Sequence, residues 1–167
     1  QDRLLNTCTV SHELAKSLGL TGLAGRASGI ARDVRTGSPS APYTEIFVNI
    51  SVRMAGDVSA RVDVRFAEIY ESLRLIKTMI ENLPHGGVRT ESVRRRSIGS
   101  GAGWIEGWRG GVFSALEVGS EAKITRFHIP APSWKNWPII QYHVIGNLVL
   151  GFHLINKTFH LHFSKTT

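Results

Sequence analysis

Residues 58–83 contain the pattern that most limits how this chain can fold. Apolar side chains recur there every three or four residues, at Val58, Val62, Phe66, Ile69, Leu73, Ile76, Ile80 and Leu83. This spacing predicts one long amphipathic helix with a continuous apolar stripe. Asp57 stands at the expected N-cap and Pro84 follows the last apolar position, so both ends are marked. The charged residues on the other faces predict a surface that meets solvent or another subunit.

Shorter patterns predict the remaining helices and one strand. Ser11 can cap a short helix that ends at Gly19, and Ser133 can cap another over residues 134–146. β-Branched residues that alternate with polar ones predict a strand at 45–52. These segments indicate a mixed fold in which helices and extended chain share one core.

Two further strands are predicted after residue 104. They cover 105–118 and 123–129 and are joined by a turn at 119–122. Residues 85–103 are predicted to form a loop. The fold class is therefore α+β, with the long helix and a shorter helix packed with a small antiparallel sheet.

Charge and cysteine content limit the class of protein. The 167 residues fit one domain or part of a larger one, and the chain starts at Gln1 in mid-pattern, as a fragment would. The formal net charge of +7 favours an acidic partner, which could be a nucleic acid, an anionic membrane surface or an acidic subunit. The single cysteine, Cys8, excludes an internal disulfide and a cysteine-held metal cluster. No apolar run reaches the roughly 18–20 residues of a membrane span.

Three local motifs suggest ligands only weakly. The glycine- and arginine-rich segment 21–35 could cradle a phosphate, but it lacks both the Walker lysine and the dinucleotide-binding glycine spacing. The arginine run at 94–96 could bind nucleic acid, although no aromatic platform accompanies it, so a loop facing solvent or an acidic partner is favoured. His160 and His162 would share one face of a strand, but no acidic residue stands near them, so core or surface histidines are favoured over a metal site.

The stretch Glu106-Gly107-Trp108-Arg109-Gly110 places a carboxylate and a guanidinium three residues apart in an apolar segment. On an extended strand Glu106 and Trp108 would share one face, with Arg109 on the other. Burial would require the carboxylate to be paired or protonated and the guanidinium to find carboxylates or carbonyls. The alternative is a surface hairpin strand with both charges in solvent.

Seven motifs occur in order along nearly the whole chain. They are Asp2-Arg3-Leu4, Gly25-Arg26-Ala27-Ser28-Gly29 with Asp33-Val34-Arg35, Pro42-Tyr43, Gly56-Asp57-Val58 with Ala60-Arg61, Glu71-Ser72-Leu73-Arg74, Glu106-Gly107-Trp108-Arg109-Gly110 and Pro132-Ser133-Trp134. Together they resemble one known family, which comprises the large subunit of membrane-bound nickel–iron hydrogenases and the homologous hydrogenase-like subunit of respiratory complex I. The chain resembles the C-terminal half of that subunit over residues 1–167, and the tail from Trp137-Pro138 to Phe159 is similar to the hydrogenase-4 and energy-converting branch.

The chain departs from the metal-binding members of this family at the cysteines. Those members hold nickel and iron with two Cys-x-x-Cys pairs, of which the late pair would fall near residues 154–167. That region contains no cysteine, and Cys8 matches none of the ligand positions. Because asparagine, lysine and threonine cannot replace soft thiolates, the resemblance implies a metal-free chain without hydrogenase activity, as in the complex I branch.

The resemblance implies a role and a set of partners. We expect a subunit of a redox complex that takes electrons from NAD(P)H or ferredoxin to a quinone and moves protons. Its partners would be an iron–sulfur small subunit and membrane-arm subunits, with the complex peripheral on the cytoplasmic side of the inner membrane. The alternatives are an inactive scaffold subunit and, from charge alone, a basic nucleic-acid-binding module.

The same resemblance implies which residues matter. Glu106 and Arg109 would form an ion pair at the cavity wall that relays protons or positions the partner's cluster. A buried charged network would also include Arg26, Arg32, Asp33, Asp57 and Arg61.

Overall fold

The computed structural model describes residues 4–87, 89, 98–144 and 152–161. The arginines at 94–96, His162 and the predicted helix end near residue 146 lie outside these residues. Seven helices and three strands are described: α1 (His12–Ser17), α2 (Gly22–Ala27), α3 (Val34–Gly37), α4 (Val58–Glu81), β1 (Gly99–Gly107), β2 (Gly110–Val118), β3 (Ile124–His128), α5 (Pro132–Asn136), α6 (Pro138–Val144) and α7 (Phe152–Phe159).

The predicted caps of α1 and α4 are confirmed. Ser11 Oγ accepts a hydrogen bond of 3.2 Å from the Leu14 amide, and Asp57 Oδ1 accepts one of 2.7 Å from the Ala60 amide. Gly19 follows α1 with φ +64, a conformation that favours glycine. Local hydrogen-bond chemistry therefore places both helix starts where the sequence indicates them.

The apolar stripe of α4 is helical as predicted, but only part of it is buried. Val58 is fully buried, whereas Phe66 is 57%, Leu73 59% and Ile80 67% exposed. Leu75, beside the stripe, is buried. Periodicity identifies residues that share a helix face, but burial depends on what packs against that face.

The main core lies between the N-terminal segment, α1, the start of α4 and the C-terminal helices. Its buried members are Cys8, Val10, Ala15, Leu20, Ala24, Val58, Ile139, Ile140, Ile155, Phe159 and Leu161. A second cluster, formed by Leu23, Ala27, Ala60 and Val64, packs α2 against α4. This second contact brings the polar side chains of α2 next to those of α4.

The sheet is an antiparallel meander in the order β1-β2-β3. The predicted single strand at 105–118 is wrong, since Gly107 pairs with Gly110 and Trp108 and Arg109 form a two-residue turn between β1 and β2. Gly110 adopts φ +124, which a glycine tolerates, so the chain can reverse there. The predicted turn at 119–122 is confirmed as a short 3-10 turn over Ser120–Ala122.

Two predicted elements differ in the structure. Residues 45–52 are not a strand, because the Asn49 amide donates to Glu71 on α4 rather than to a neighbouring strand. The predicted helix at 134–146 is divided into α5 and α6 at Trp137, directly before Pro138. Ser133 lies inside α5 and Ala131 is its N-cap. Proline lacks the amide that would continue the helix, which explains the break.

Within the described ranges, no helix is long and apolar enough to cross a membrane. The fold class is thus mixed, with one long helix, several short ones and a small antiparallel sheet.

Candidate functional site

Arg26 on α2 is the centre of a buried charged cluster. Its side chain is 2% exposed, and its Nη1 donates to Glu106 Oε1 at 3.0 Å. Its Nε donates to Glu68 Oε1 on α4, and Nη1 lies 3.6 Å from Asp33 Oδ2. We call Arg26, Asp33, Arg35, Glu68 and Glu106 the Arg26 cluster. It joins α2, α4, β1 and the start of α3 through charged side chains.

Backbone geometry fixes the carboxylates of the Arg26 cluster. Glu106 lies near the end of β1, and its Oε2 accepts a 3.0 Å hydrogen bond from the Val34 amide at the start of α3. Asp33 is the N-cap of α3 and accepts from the Arg35 amide at 2.9 Å. The Arg35 guanidinium closes the arrangement, with Nη2 2.7 Å from Asp33 Oδ2. Both carboxylates are therefore held by charge and by helix-end donors.

The acids of the Arg26 cluster differ in protonation tendency. Burial works to raise the pKa of Asp33, but hydrogen bonds from Arg35 outweigh it, so the pKa lies below its ordinary value. Burial raises the pKa of Glu68, and Arg26 only partly opposes this. Burial works to lower the pKa of Arg26, but the neighbouring carboxylates of Glu68 and Glu106 outweigh this effect, so the pKa lies above its ordinary value. Glu68 is therefore the carboxyl group of this cluster that environment moves toward protonation.

Arg61 forms a separate site. Its side chain donates to the carbonyl of Gly56 at 2.7 Å, to the carbonyl of Cys8 at 3.2 Å and to Thr158 Oγ1 at 3.2 Å. Its guanidinium carbon lies 4.2 Å from the centre of the Phe159 ring. Asp57 caps α4 and accepts from the Asn6 amide at 2.9 Å. The predicted single network is therefore divided between the Arg26 cluster and this site.

Two predicted members of the network are placed differently. Arg32 is exposed, and only its carbonyl takes part, by accepting from Arg26 Nη1 at 3.2 Å. Arg109 lies in the β1–β2 turn, and the predicted Glu106–Arg109 ion pair is wrong: in the described part of the chain Glu106 pairs with Arg26.

Sequence reasoning does not identify Glu68 and Arg35 as members of the cluster. Glu68 belongs by spacing to the charged outer faces of the long helix, and periodicity alone cannot show that α2 packs against that side. The motif Asp33-Val34-Arg35 does give a signal, since an N-cap aspartate with an arginine two residues later can form the observed pair.

The backbone of the β1–β2 turn packs closely against the start of α2. A Cβ on Gly22, which has φ +62, would lie 2.2 Å from the Arg109 carbonyl carbon. Asn136 on α5 accepts from the Thr21 amide at 3.0 Å and donates to the Thr21 carbonyl at 3.2 Å. These contacts hold the hairpin in register with the Arg26 cluster.

The residues present do not fit a thiolate-held nickel–iron centre. The chain has one cysteine, Cys8, which is buried. Burial raises the pKa of its thiol, which opposes the thiolate form that binds such metals. Among the described residues, no group of three His, Cys, Asp or Glu side chains is placed to hold a metal ion. This chain therefore supplies at most one of the four thiolates that such a centre needs.

Known proteins share extended sequence similarity with this chain. Residues 1–101 match the family described as respiratory-chain NADH dehydrogenase, 49 Kd subunit. The chain is 32% identical over 126 residues to hydrogenase-4 component G of Escherichia coli (strain K12), which covers 75% of this chain and 23% of that protein. It is 29% identical over 155 residues to formate hydrogenlyase subunit 5 of the same strain, covering 93% and 27% respectively. It is 40% identical over 132 residues to the C/D subunit of NADH-quinone oxidoreductase of Bacteroides fragilis (strain ATCC 25285), covering 77% and 24%.

These relatives define a class of hydrogenase-like subunits of multisubunit redox complexes. More particularly, the chain belongs to the family of the 49 kDa subunit of respiratory-chain NADH dehydrogenase, which confirms the resemblance read from the motifs. The chain spans about a quarter of the length of the relatives it matches.

Proposed function

We propose that this chain is the C-terminal portion of a hydrogenase-like subunit in a membrane-associated redox complex. In that complex it forms part of the wall of a quinone or substrate cavity and couples electron transfer to proton movement. Family membership supports the type of complex. The observation on which the proton role depends is Glu68, a partly buried carboxyl group whose side chain is 12% exposed, whose pKa is raised and which contacts the buried Arg26.

The Arg26 cluster can change its protonation state without leaving a buried charge unpaired. Protonation of Glu68 weakens its ion pair with Arg26, but Arg26 keeps its contacts with Glu106 and Asp33. An unpaired buried cation would cost several kcal/mol, so this second set of partners lowers the penalty of proton uptake. When negative charge arrives nearby, a Glu68 oxygen takes up one proton, and it releases the proton when that charge leaves.

Glu106 connects the cluster to a cavity. The cavity has a volume of about 130 Å³ and is bounded by Arg35, Tyr43, Trp104 and Glu106, among others. Its aromatic walls and polar edges suit a small ring compound with oxygen substituents, which is the chemistry of a quinone headgroup. Because Glu106 also binds Arg26, the charge of the Arg26 cluster would act electrostatically on a ligand in this cavity.

The surrounding complex is part of the same proposal. The electron donor would be NAD(P)H or ferredoxin, and an iron–sulfur cluster would reside in a partner subunit rather than in this chain. Membrane-arm subunits would complete the assembly, which would lie peripherally on the cytoplasmic side of the inner membrane. The net charge of +7 suits docking on acidic partner surfaces.

Substitution of the two central acids in the intact complex tests the proton role. We expect Glu68→Gln and Glu106→Gln to reduce quinone reduction and proton movement while the purified complex keeps its subunits. Glu117→Gln is the matched control, since its side chain is 49% exposed on β2, away from the Arg26 cluster. Unchanged turnover in both variants would reject proton transfer and favour a scaffold role.

Metal analysis of the complex purified through this subunit tests the class of reaction. Iron without nickel, together with quinone reduction and no hydrogen evolution, supports the proposal. Stoichiometric nickel with hydrogen evolution would contradict it.

A further inference from the structure

Helix α4 has apolar residues on two opposite sides. Ala60 and Val64 pack it against α2 and are 4% and 0% exposed. Ile69 and Leu73 lie nine residues after these two, and nine residues bring an α-helix round to its other side. Ile69 is 39% and Leu73 is 59% exposed. The described part of the chain therefore covers the first side of α4 and leaves the second side largely open.

The open side forms a row along most of the helix. We call it the exposed apolar face of α4, and its members are Phe66, Ile69, Tyr70, Leu73, Ile76 and Ile80, each between 39% and 71% exposed. From Phe66 to Ile80 the helix rises by about 21 Å, at 1.5 Å per residue. Single exposed apolar side chains are ordinary, but a contiguous row of them marks a surface that another molecule or segment covers.

The charges of α4 separate the possible occupants. The helix carries four basic and four acidic residues, which are Arg61, Arg65, Arg74, Lys77, Asp63, Glu68, Glu71 and Glu81. Helices that lie on anionic membranes have an excess of lysine and arginine, so this balance does not suit a lipid surface. Lys77 Nζ also lies 3.8 Å from Glu81 Oε1, so charges on the helix pair with each other. The exposed apolar face therefore suits an apolar protein surface without a large net charge.

The shape of the face and the length of the relatives favour a helix of the same subunit. Large side chains at spacings of three and four residues form ridges and grooves that fit those of a second helix. A helix that is apolar on more than one side is typical of a protein interior. This chain spans 23%, 27% and 24% of three relatives, so about three quarters of such a subunit lies outside it.

We propose that the exposed apolar face of α4 packs against an amphipathic helix from the remaining part of the same subunit. The inference rests on the proposed function, in which this chain is a portion of a longer subunit. The partner helix presents aliphatic or aromatic side chains every three or four residues over about four turns, which matches the 21 Å row. Helix α4 is then an interior helix that joins the Arg26 cluster on its covered side to the rest of the subunit.

Site-specific photo-crosslinking in the intact complex identifies what covers this face. p-Benzoylphenylalanine is placed at Phe66, an aromatic position that is 57% exposed, and crosslinked peptides are identified by mass spectrometry. We expect crosslinks to a peptide of the same polypeptide outside residues 1–167, without a change to the mass of a dimer on a denaturing gel. Crosslinks to another subunit, to a second copy of this chain or to lipid, or no crosslink at all, would overturn the proposal.

Phe127 provides the matched control for the probe. It is also an exposed phenylalanine, at 61%, but it lies on β3 rather than on α4. The same probe at Phe127 should not crosslink to the peptide captured from Phe66. Capture of that peptide from both positions would show unselective reaction and would also overturn the proposal.

Substitution tests the packing without a probe. In the intact subunit Leu73→Gln should lower the thermal unfolding midpoint by roughly 4 °C or more, because it places a polar group in an apolar contact. Lys77→Gln, on the same helix with its side chain 76% exposed, should leave the midpoint nearly unchanged. Equal midpoints in the two variants would show that Leu73 faces solvent and would overturn the proposal.

The intact mass of the subunit separates this inference from the proposed function. A natural subunit no longer than these 167 residues would contradict the proposal that the chain is a portion of a larger one. A longer subunit whose crosslinks from Phe66 lead to another protein would overturn only the packing assigned to α4.

Discussion

Replacement of Glu106 by glutamine should destabilise the protein more than the same replacement at Glu68. Glu106 uses both carboxylate oxygens, one for Arg26 Nη1 and one for the Val34 amide, each at 3.0 Å. Glutamine has one acceptor oxygen, so one of these two buried donors would face an amide NH₂ group instead. Glu68 uses a single oxygen toward Arg26, and glutamine can keep that contact.

The magnitudes follow from these contacts. Loss of a hydrogen bond to a charged group costs about 1.5–3 kcal/mol, and the unsatisfied donor adds to this. Arg26 keeps Glu68 and Asp33, so the cost stays below the roughly 3–5 kcal/mol of a fully broken buried pair. We therefore expect about 3 kcal/mol for Glu106→Gln. For Glu68→Gln we expect about 1 kcal/mol, because burial already raises the pKa of Glu68 and so disfavours its charge.

Equilibrium urea unfolding at pH 7 measures both effects. The slope of free energy against urea should be equal in all variants, so that the midpoints report stability alone. Glu117→Gln, on the exposed face of β2, should change the free energy of unfolding by less than about 0.5 kcal/mol. An effect of Glu68→Gln equal to or larger than that of Glu106→Gln would refute the reasoning, since Arg26 would then depend mainly on Glu68.

Three further substitutions or conditions test the geometry. Gly22→Ala should lower the thermal unfolding midpoint far more than Gly19→Ala. The two glycines have similar φ values, +62 and +64, but of the two only Gly22 has backbone close by, so that its added Cβ would lie 2.2 Å from the Arg109 carbonyl carbon. Equal shifts of the midpoint would contradict this close contact. Hydrogen bonds from the Arg74 guanidinium lower the pKa of Glu71 from 4.5 to about 2. The resulting stabilisation is fully present above pH 4.5, so the stability of the protein should fall as pH drops from 4.5 toward about 2. Glu71→Gln should reduce the dependence of stability on pH in this range. An unchanged dependence would show that another group causes the acid sensitivity. Arg61→Lys should cost roughly 2–3 kcal/mol in urea unfolding, because lysine cannot reproduce the forked donors; a cost near zero would show that the carbonyls around Arg61 are satisfied without it.

The helices that the sequence predicts well are those whose signals are local. Asp57 and Ser11 form caps with amides three residues ahead, so a few neighbouring residues contain all the information needed. The family resemblance also depends on short motifs in order. Neither inference requires knowledge of what lies across the fold.

The elements predicted wrongly depend on partners distant in sequence. Residues 45–52 have a strand-like composition, but the Asn49 amide donates to Glu71 of α4 at 2.9 Å, and the Glu45 and Ile46 amides donate to the Pro42 carbonyl. A strand needs a second strand beside it, and β-branched composition does not supply one. The hairpin within 105–118 is missed for a related reason, since Gly110 packs closely against Thr21 and Gly22, which are distant in sequence.

The candidate site is predictable in its residue types but not in its pairings. Arg26, Asp33 and Glu106 are all named by the motifs, yet the partner of Glu106 is Arg26, 80 positions away, and not Arg109. Spacing along the chain can indicate that charges are buried together. It cannot determine which charges meet, because that depends on how α2 packs against α4 and β1.

Arg26 and Arg61, which are both almost completely buried, differ in how their charge is compensated, and we propose that this difference separates a structural role from a role in proton transfer. Arg61 is satisfied by carbonyls and a ring, none of which changes charge, so it can only hold the core together. Arg26 is satisfied by carboxylates, and burial raises the pKa of one of them, Glu68, so we propose that the surroundings of Arg26 take up and release a proton. Because proton transfer is proposed only for the carboxylates around Arg26, we expect Arg61→Lys to change the stability of the protein and to leave proton transfer by the intact complex unchanged.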